Sequence, residues 1–254
     1  MFGAVCKTYY AEKLGIPAEK ISVVSIMPCT AKKFEKGRPF QSAAGVPDID
    51  HVLTTRELAR LIKRKGILFN NLPDEEYDVP FGIGSGAGLI FGVTGGVMEA
   101  ALRTLQDVLT GKSQNKIDFT AVRGVEGIKE AKYVLPVNGK DTEIKVAVAS
   151  SLKNAKTLMD LVKAGKADYH FIEIMTCPGG CVNGGGQPIK DAYTRNTTDI
   201  RAERAKAVYD ADKGMQLRKS HENYVKALYE EYFDKPNSHR AHEVLHTKYV
   251  VRGK

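Results

Sequence analysis

An α/β fold is what this sequence predicts, with helices flanking sheets whose strands run largely parallel. Three observations carry the prediction. Residues 143–149 (EIKVAVA) alternate as a strand, LKNAKTLMDLVKAG reads as a helix, and residues 168–175 (DYHFIEIM) are strand-like again. Strand, helix, strand in that order is the βαβ signature, which makes the two strands parallel with a right-handed crossover. Residues 21–27 (ISVVSIM) form a second β-branched run of strand length, and Pro28 stops it.

Taken in order, residues 1–14 place Val5, Tyr9 and Leu14 at helical spacing, and Gly15-Ile16-Pro17 ends that helix. The strand at 21–27 follows. Thr54 or Thr55 can N-cap the helix RELARLIKRK, which Gly66 closes. Residues 70–88 are turn-rich and irregular. After Gly95-Gly96 a helix runs through MEAALRTLQDVL to Gly111. Ser150 or Ser151 can cap the helix of the βαβ unit. Beyond a glycine-rich loop, the chain from Thr198 is charged and mostly helical, with Val225, Leu228, Tyr229 and Tyr232 on one apolar stripe. No repeat, low-complexity tract or linker interrupts it.

Composition excludes several classes of function. With 254 residues, 43% of them hydrophobic and 27% charged, the chain is long enough and apolar enough to bury a sizeable core. No apolar run approaches the roughly 20 residues of a spanning helix, so no membrane is expected as a partner. The N-terminal residues lack a secretory leader's apolar core and cleavage site, and a cytoplasmic location is expected. Lys and Arg number 38 against 30 Asp and Glu, a net charge of +8. That suits docking to an acidic partner, and it lacks the concentrated basic stripe of a nucleic-acid binder.

The four cysteines are Cys6, Cys29, Cys177 and Cys181. A chain of this size needs no disulfides, so these thiols are metal or catalytic candidates. Met27-Pro28-Cys29 leaves one strand directly, and Met175-Thr176-Cys177 leaves another. Open α/β sheets bind ligands outside the carboxyl ends of their strands. Cys177 and Cys181 are separated by Pro-Gly-Gly and followed by VNGGGQ. Glycines let backbone approach a bulky inorganic group, and their N–H groups can donate to its sulfurs. A structural zinc or a turn with two buried thiols also fits the spacing, while soft thiolates in this glycine-rich setting favour iron–sulfur.

These segments resemble the iron-only, or [FeFe], hydrogenases. MPCTAKKFE from Met27 resembles the family's MPCxxKxxE segment, and EIMTCPGGC from Glu173, with Asn183 through Gln187, resembles its ExMxCPGGCxxGGGQ segment. GAGLIFGVTGGVMEAALR from Gly86 and SHRAHEVLHT from Ser238 match it as well, so the resemblance covers essentially the whole chain. It implies a two-lobed domain with the cluster at strand carboxyl ends and a helical tail over 198–254 of small-subunit type. It also implies an active-site [4Fe-4S] cube joined through a cysteine sulfur to a di-iron unit with carbonyl, cyanide and dithiolate ligands. Position by position, Cys29, Cys177 and Cys181 resemble three cube ligands, with Cys181 the bridge to the di-iron unit. Lys32 matches a lysine that donates to a cyanide; its plainer reading is a solvated surface lysine, as expected of Lys33 and Lys36. Met27, Phe91 and Met175 match apolar walls of the di-iron site, and Glu35 is expected to fix its loop by hydrogen bonds.

The activity so implied is reversible reduction of protons to hydrogen in an anaerobic metabolism. Its partners would be ferredoxin or an NAD(P)H-linked electron-transfer subunit, with radical-SAM and GTPase enzymes for maturation. The family's TSCCPxW motif, which supplies the fourth cube ligand and a proton-delivering cysteine, has no counterpart in this sequence. The chain is therefore expected to be a fragment, inactive alone, or to need a partner chain that completes the site. Cys6 lies within a helix and is a poor ligand candidate. His242-Glu243-Val244-Leu245-His246 satisfies the H-E-x-x-H pattern with no third ligand downstream, and His170 reads as a structural strand histidine. The alternative for the whole chain is a non-catalytic, hydrogenase-like iron–sulfur cluster assembly factor.

Overall fold

The computed structural model describes residues 1–251 apart from 115–117, 125 and 138. In chain order, α1 (Phe2–Val5) and α2 (Ala11–Leu14) flank a π-helical turn at Cys6–Tyr10. Then come β1 (Val24–Met27), α3 (Ala31–Glu35), β2 (His51–Thr54), α4 (Thr55–Arg64), α5 (Gly86–Ile90) and α6 (Gly96–Thr110). There follow β3 (Ile128–Val137), β4 (Lys140–Ser150), α7 (Leu152–Lys163), β5 (Phe171–Met175), α8 (Ala192–Thr197) and α9 (Ile200–Gly214). The last two are α10 (Val225–Leu228), continued by a π-helical turn at Tyr229–Phe233, and α11 (His239–Leu245). The chain forms two compact units. One holds Met1–Phe81, Gly185–Pro188 and the chain from Tyr224 on; the other holds Gly82–Gly184 and Ile189–Asn223.

In the first unit β1 and β2 pair in parallel, from Val24 opposite His51 to Met27 opposite Thr54. The strand is shorter than the predicted 21–27 because β2 offers only four residues, and the Val23 N–H donates to Asp50 Oδ2 (2.7 Å) instead of joining the ladder. Its core gathers Val5, Phe233 and Ala241, with Tyr9, Phe81, Leu228, Tyr229 and Tyr232 packed around them. Three members of the predicted stripe are there, but Val225 is 45% exposed. The π-helical turn shifts the register past Leu228, so Phe233 takes the innermost place.

The second unit has a three-stranded sheet in the order β3-β4-β5, with β3–β4 antiparallel and β4–β5 parallel. The parallel pair with α7 between is the predicted βαβ unit. Ile144, Val146 and Val148 of β4 meet Met98 and Leu102 of α6, while Ala147 and Ala149 meet Leu158 of α7. Because helices cover both faces, residues 146–150 are buried without alternation. β3 departs from expectation: Lys129, Glu130, Lys132 and Pro136 disguise it, yet an edge strand tolerates a proline that donates no ladder bond. β5 starts at Phe171, three residues later than predicted. His170 precedes it and accepts the Lys145 N–H at Nδ1 (3.1 Å) while donating its own N–H to Lys145 O (2.8 Å), a structural role.

Candidate metal centre

Each predicted cysteine loop is built by local backbone chemistry. In the second unit β5 ends at Met175 and the chain turns at Cys177-Pro178-Gly179-Gly180, the Gly180 N–H donating to Cys177 O (3.0 Å). Gly179 and Gly180 take φ of 81° and 96°, the left-handed region that disfavours side chains. A Cβ on Gly180 would lie 2.7 Å from Gly92 O and from Thr94 N. The loop is laid directly on residues 92–94: the Val182 N–H donates to Gly92 O (3.0 Å) and the Thr94 N–H to Gly179 O (3.3 Å). A 3-10 turn, Cys181–Asn183, follows, and the Gly184 N–H donates to Cys181 O (2.8 Å). Cys177 is half-buried and Cys181 exposed. Phe91, 46% exposed, sits next to Gly92, and Thr94 Oγ1 donates to Met175 Sδ (3.7 Å).

In the first unit Met27 ends β1 and the half-buried Cys29 follows Pro28. Pro28 O accepts the Gly186 N–H (2.7 Å), and Arg56 holds the same segment, donating its backbone N–H to Gly186 O (3.1 Å) and Nη1 to Gln187 O (3.1 Å). A Cβ on Gly186 would meet Thr54 at 2.8 Å, so glycine is what lets this turn lie against Thr54. On α3, Lys32 pairs with Glu35 one turn away, and both stay partly exposed. Lys33 and Lys36 are not merely solvated, as expected from sequence. Lys33 donates to Val52 O (2.9 Å) and pairs with Glu57 (2.9 Å), and Lys36 donates to Asp50 O (3.0 Å). They are drawn there because β2 runs beside α3. The Thr54 backbone N–H and Lys33 hold the Glu57 carboxyl down at about 2.

Cys29, Met27, Lys32 and Glu35 thus belong to one unit, and Phe91, Met175, Cys177 and Cys181 to the other. Cys6 is buried in the π-helical turn, and burial pushes its thiol up despite the nearby N-terminal amine, the inert form of cysteine. The H-E-x-x-H pattern gathers no three-ligand site among the described residues: α11 ends at Leu245 and His246 is extended (φ −100°, ψ 148°). Although the His242 and His246 rings meet edge-on with centroids 4.1 Å apart, no third Cys, His, Asp or Glu ligand atom among the described residues joins them. Among the described residues, one cluster of three His, Asp or Glu ligand atoms is found, at Asp107, His221 and Glu222. Lys219 Nζ already occupies Asp107 Oδ2 (2.6 Å).

The donor set fits an iron–sulfur group. Thiolates are soft ligands suited to iron–sulfur, and the Cys177–Cys181 loop is glycine-lined and accessible. Sequence reasoning assigned no role to Glu173, Thr94 or Arg56. The signal for Glu173 was present: an acid in the middle of the apolar strand FIEIM.

Residues 1–185 match the family described as iron only hydrogenase large subunit, C-terminal domain, and residues 198–252 match iron hydrogenase small subunit. The chain is 51% identical over 253 residues to the NADP-reducing hydrogenase subunit HndD of Solidesulfovibrio fructosivorans, covering 99% of this chain and 42% of that protein. It is 45% identical over 250 residues to iron hydrogenase 1 of Clostridium pasteurianum, covering 98% and 43%. Protein NAR1 of Arabidopsis thaliana is 32% identical over 260 residues, covering 97% and 54%. The chain therefore spans less than half the length of the two hydrogenases. A solved [FeFe]-hydrogenase from Chlamydomonas reinhardtii superposes with a TM-score of 0.77 at 40% identity, over 98% of this chain and 68% of that one. Motifs, fold and relatives agree, and the chain belongs to the iron-only hydrogenase family, matching the C-terminal domain of its large subunit.

Proposed function

We propose that this chain carries the C-terminal part of an [FeFe]-hydrogenase site, with residues 198–254 as a helical tail of small-subunit type. The intact enzyme would reversibly reduce protons to hydrogen with electrons from ferredoxin, an NAD(P)H-linked subunit or an accessory cluster. The observation that carries this reading is the loop at Cys177 and Cys181, whose glycines and backbone bonds present two soft donors at the end of β5. Cys29, at the end of β1, offers a third. These three thiolates would hold a [4Fe-4S] cube, with Cys181 also serving the di-iron unit. When bound, the combined cluster supplies the redox chemistry of proton reduction. The chain's own residues bind it, shield it and place charge beside it. Lys32 offers an ammonium to an anionic ligand and Glu35 orients that ammonium. Met27, Phe91 and Met175 exclude water.

The second reading, a cluster assembly factor, draws on relatives such as the cytosolic Fe-S cluster assembly factor narfl of Xenopus tropicalis at 27% identity; the 51% identity to a hydrogenase subunit favours the first. Infrared spectroscopy distinguishes them. Within an intact enzyme matured with radical-SAM and GTPase partners, carbonyl and cyanide bands are expected. Cys181→Ser should remove the bands and hydrogen evolution, because a hard alkoxide replaces a soft thiolate. No bands in the matured wild-type protein would support the assembly factor instead.

A further inference from the structure

Glu173 lies in the middle of β5 and is only 6% exposed. Both its oxygens are engaged: Oε1 accepts the Gly95 N–H and Oε2 the Met98 N–H, each at 2.7 Å. Gly95 is the N-cap of α6, and it has no side chain with which to cap that helix. Glu173 supplies the cap from another element, placing an anion on the positive end of a 15-residue helix. A buried carboxylate costs desolvation that an apolar residue would not, so what it holds in place is the relevant question.

The bonds trace a closed ring within the second unit. From Glu173 the chain runs through Met175 into the Cys177 loop. Residues 179 and 182 of that loop are bonded to residues 94 and 92. The buried Lys129 ammonium donates to Thr94 O and to Gly124 O, each at 2.9 Å. Residue 95 then returns to Glu173. Cys177 and Cys181 sit on the glycine-rich part of the ring, held by those backbone bonds and by two side-chain donors, Asn183 Nδ2 to Pro178 O (3.2 Å) and Arg204 Nη1 to Val182 O (3.1 Å).

We propose that Glu173 is a positioning residue: by closing this ring it holds Cys177 and Cys181 at the separation they need to share one iron–sulfur group. The proposal rests on the ligation reading given under Proposed function. Ligand-orienting partners of this kind change metal retention by about tenfold to a hundredfold when removed. Glu173→Gln keeps length and volume but has one acceptor atom, so it opens one of the two bonds.

The test uses the full chain, loaded anaerobically with ferrous iron and sulfide. It reads iron loss to a chelator and hydrogen exchange at the Val182 amide, which bonds Gly92 O. For Glu173→Gln, iron loss about tenfold or more faster and weakened Val182 protection are expected. Leu158→Ala, a fully buried apolar truncation in the same unit, is the control: it should lower Tm while iron loss stays at the wild-type rate. If Glu173→Gln does not fold, Glu173→Asp, which keeps the charge but is one methylene too short to hold both the Gly95 and Met98 N–H groups, carries the same expectations. Wild-type iron loss with unchanged Val182 protection would overturn the proposal, as would equal acceleration by Leu158→Ala. If wild type takes up no iron, or Cys177→Ala retains as much as wild type, the ligation reading fails. Val182 exchange then decides the ring, and unchanged protection in Glu173→Gln overturns it.

Discussion

Lys32 differs from its neighbours in what it is tied to. Lys33 and Lys36 donate to backbone carbonyls of residues 52 and 50, whereas Lys32 pairs with Glu35 on its own helix. A partly exposed ion pair of that kind contributes about 0–1 kcal/mol to stability. Lys32→Met, which keeps volume and removes charge, should therefore leave circular dichroism and Tm almost unchanged. In an intact, matured enzyme it should reduce retention of the di-iron unit, read as iron content and infrared band intensity. Unchanged occupancy would return Lys32 to the role of a surface lysine. At this scale the sequence was most legible where chemistry needs a rare residue: the cysteine loops stand out by spacing and glycine content. Glu173 stands out only as an acid inside an apolar strand and Arg56 not at all, and neither role is legible, because their partners are backbone groups distant in sequence, at residues 95 and 98 and at residues 186 and 187.

Among the elements, α4 was the most readable, and its N-terminus allows a quantitative statement. Thr54 Oγ1 accepts the Glu57 N–H (3.2 Å) while Glu57 Oε2 accepts the Thr54 N–H (2.8 Å), a complete capping box. Thr54 is also 3% exposed and lies where Gly186 passes. Thr54→Ala should cost about 1 kcal/mol in denaturant unfolding, with Thr54→Ser recovering most of it. A loss near zero would mean that the box is not formed in solution. The βαβ unit and α6, closed by Gly111 at φ 65°, were legible for the same reason: local periodicity and local stop signals agree. Element lengths were not, because a strand ends where its partner does. The Ile21–Val23 stretch has strand composition, but apart from Val23 O, which accepts the Asp50 and His51 N–H groups (3.0 and 3.2 Å), it has no partner strand in the ladder with β2. β3 escaped notice because a lysine, Lys129, takes one of its alternating inward positions, where its ammonium donates to Thr94 O.

A buried charge cluster spans the second unit from α6 to α9. Glu99, Arg103 and Asp212 have fully buried side chains; Arg103 bonds Glu99 Oε1 (2.7 Å) and both oxygens of Asp212 (2.8 and 2.9 Å). Arg123 and Arg218 extend it to the more exposed Asp118 (2.6 and 2.9 Å). Burial pushes the Asp212 carboxyl up, but the guanidinium groups of Arg103 and Arg218 outweigh it and hold it below the usual carboxylate range. A carboxyl whose pKa is lower in the folded than in the unfolded chain stabilises fully above its unfolded value, about 3.9. That contribution is lost as pH falls from there through the folded value. The second unit should therefore keep its Tm from pH 7 to about 5 and lose it below about 4. Asp212→Asn leaves Arg103 buried without its bidentate partner, which should cost about 3–5 kcal/mol at pH 7. The gap between wild type and Asp212→Asn should then narrow steadily as pH falls below about 4, where the wild-type carboxylate is itself being neutralised. Thermal melts of both proteins from about pH 3 to 7 check the sign, and a gap that widened in acid would show that Asp212 is not ionised in the folded protein.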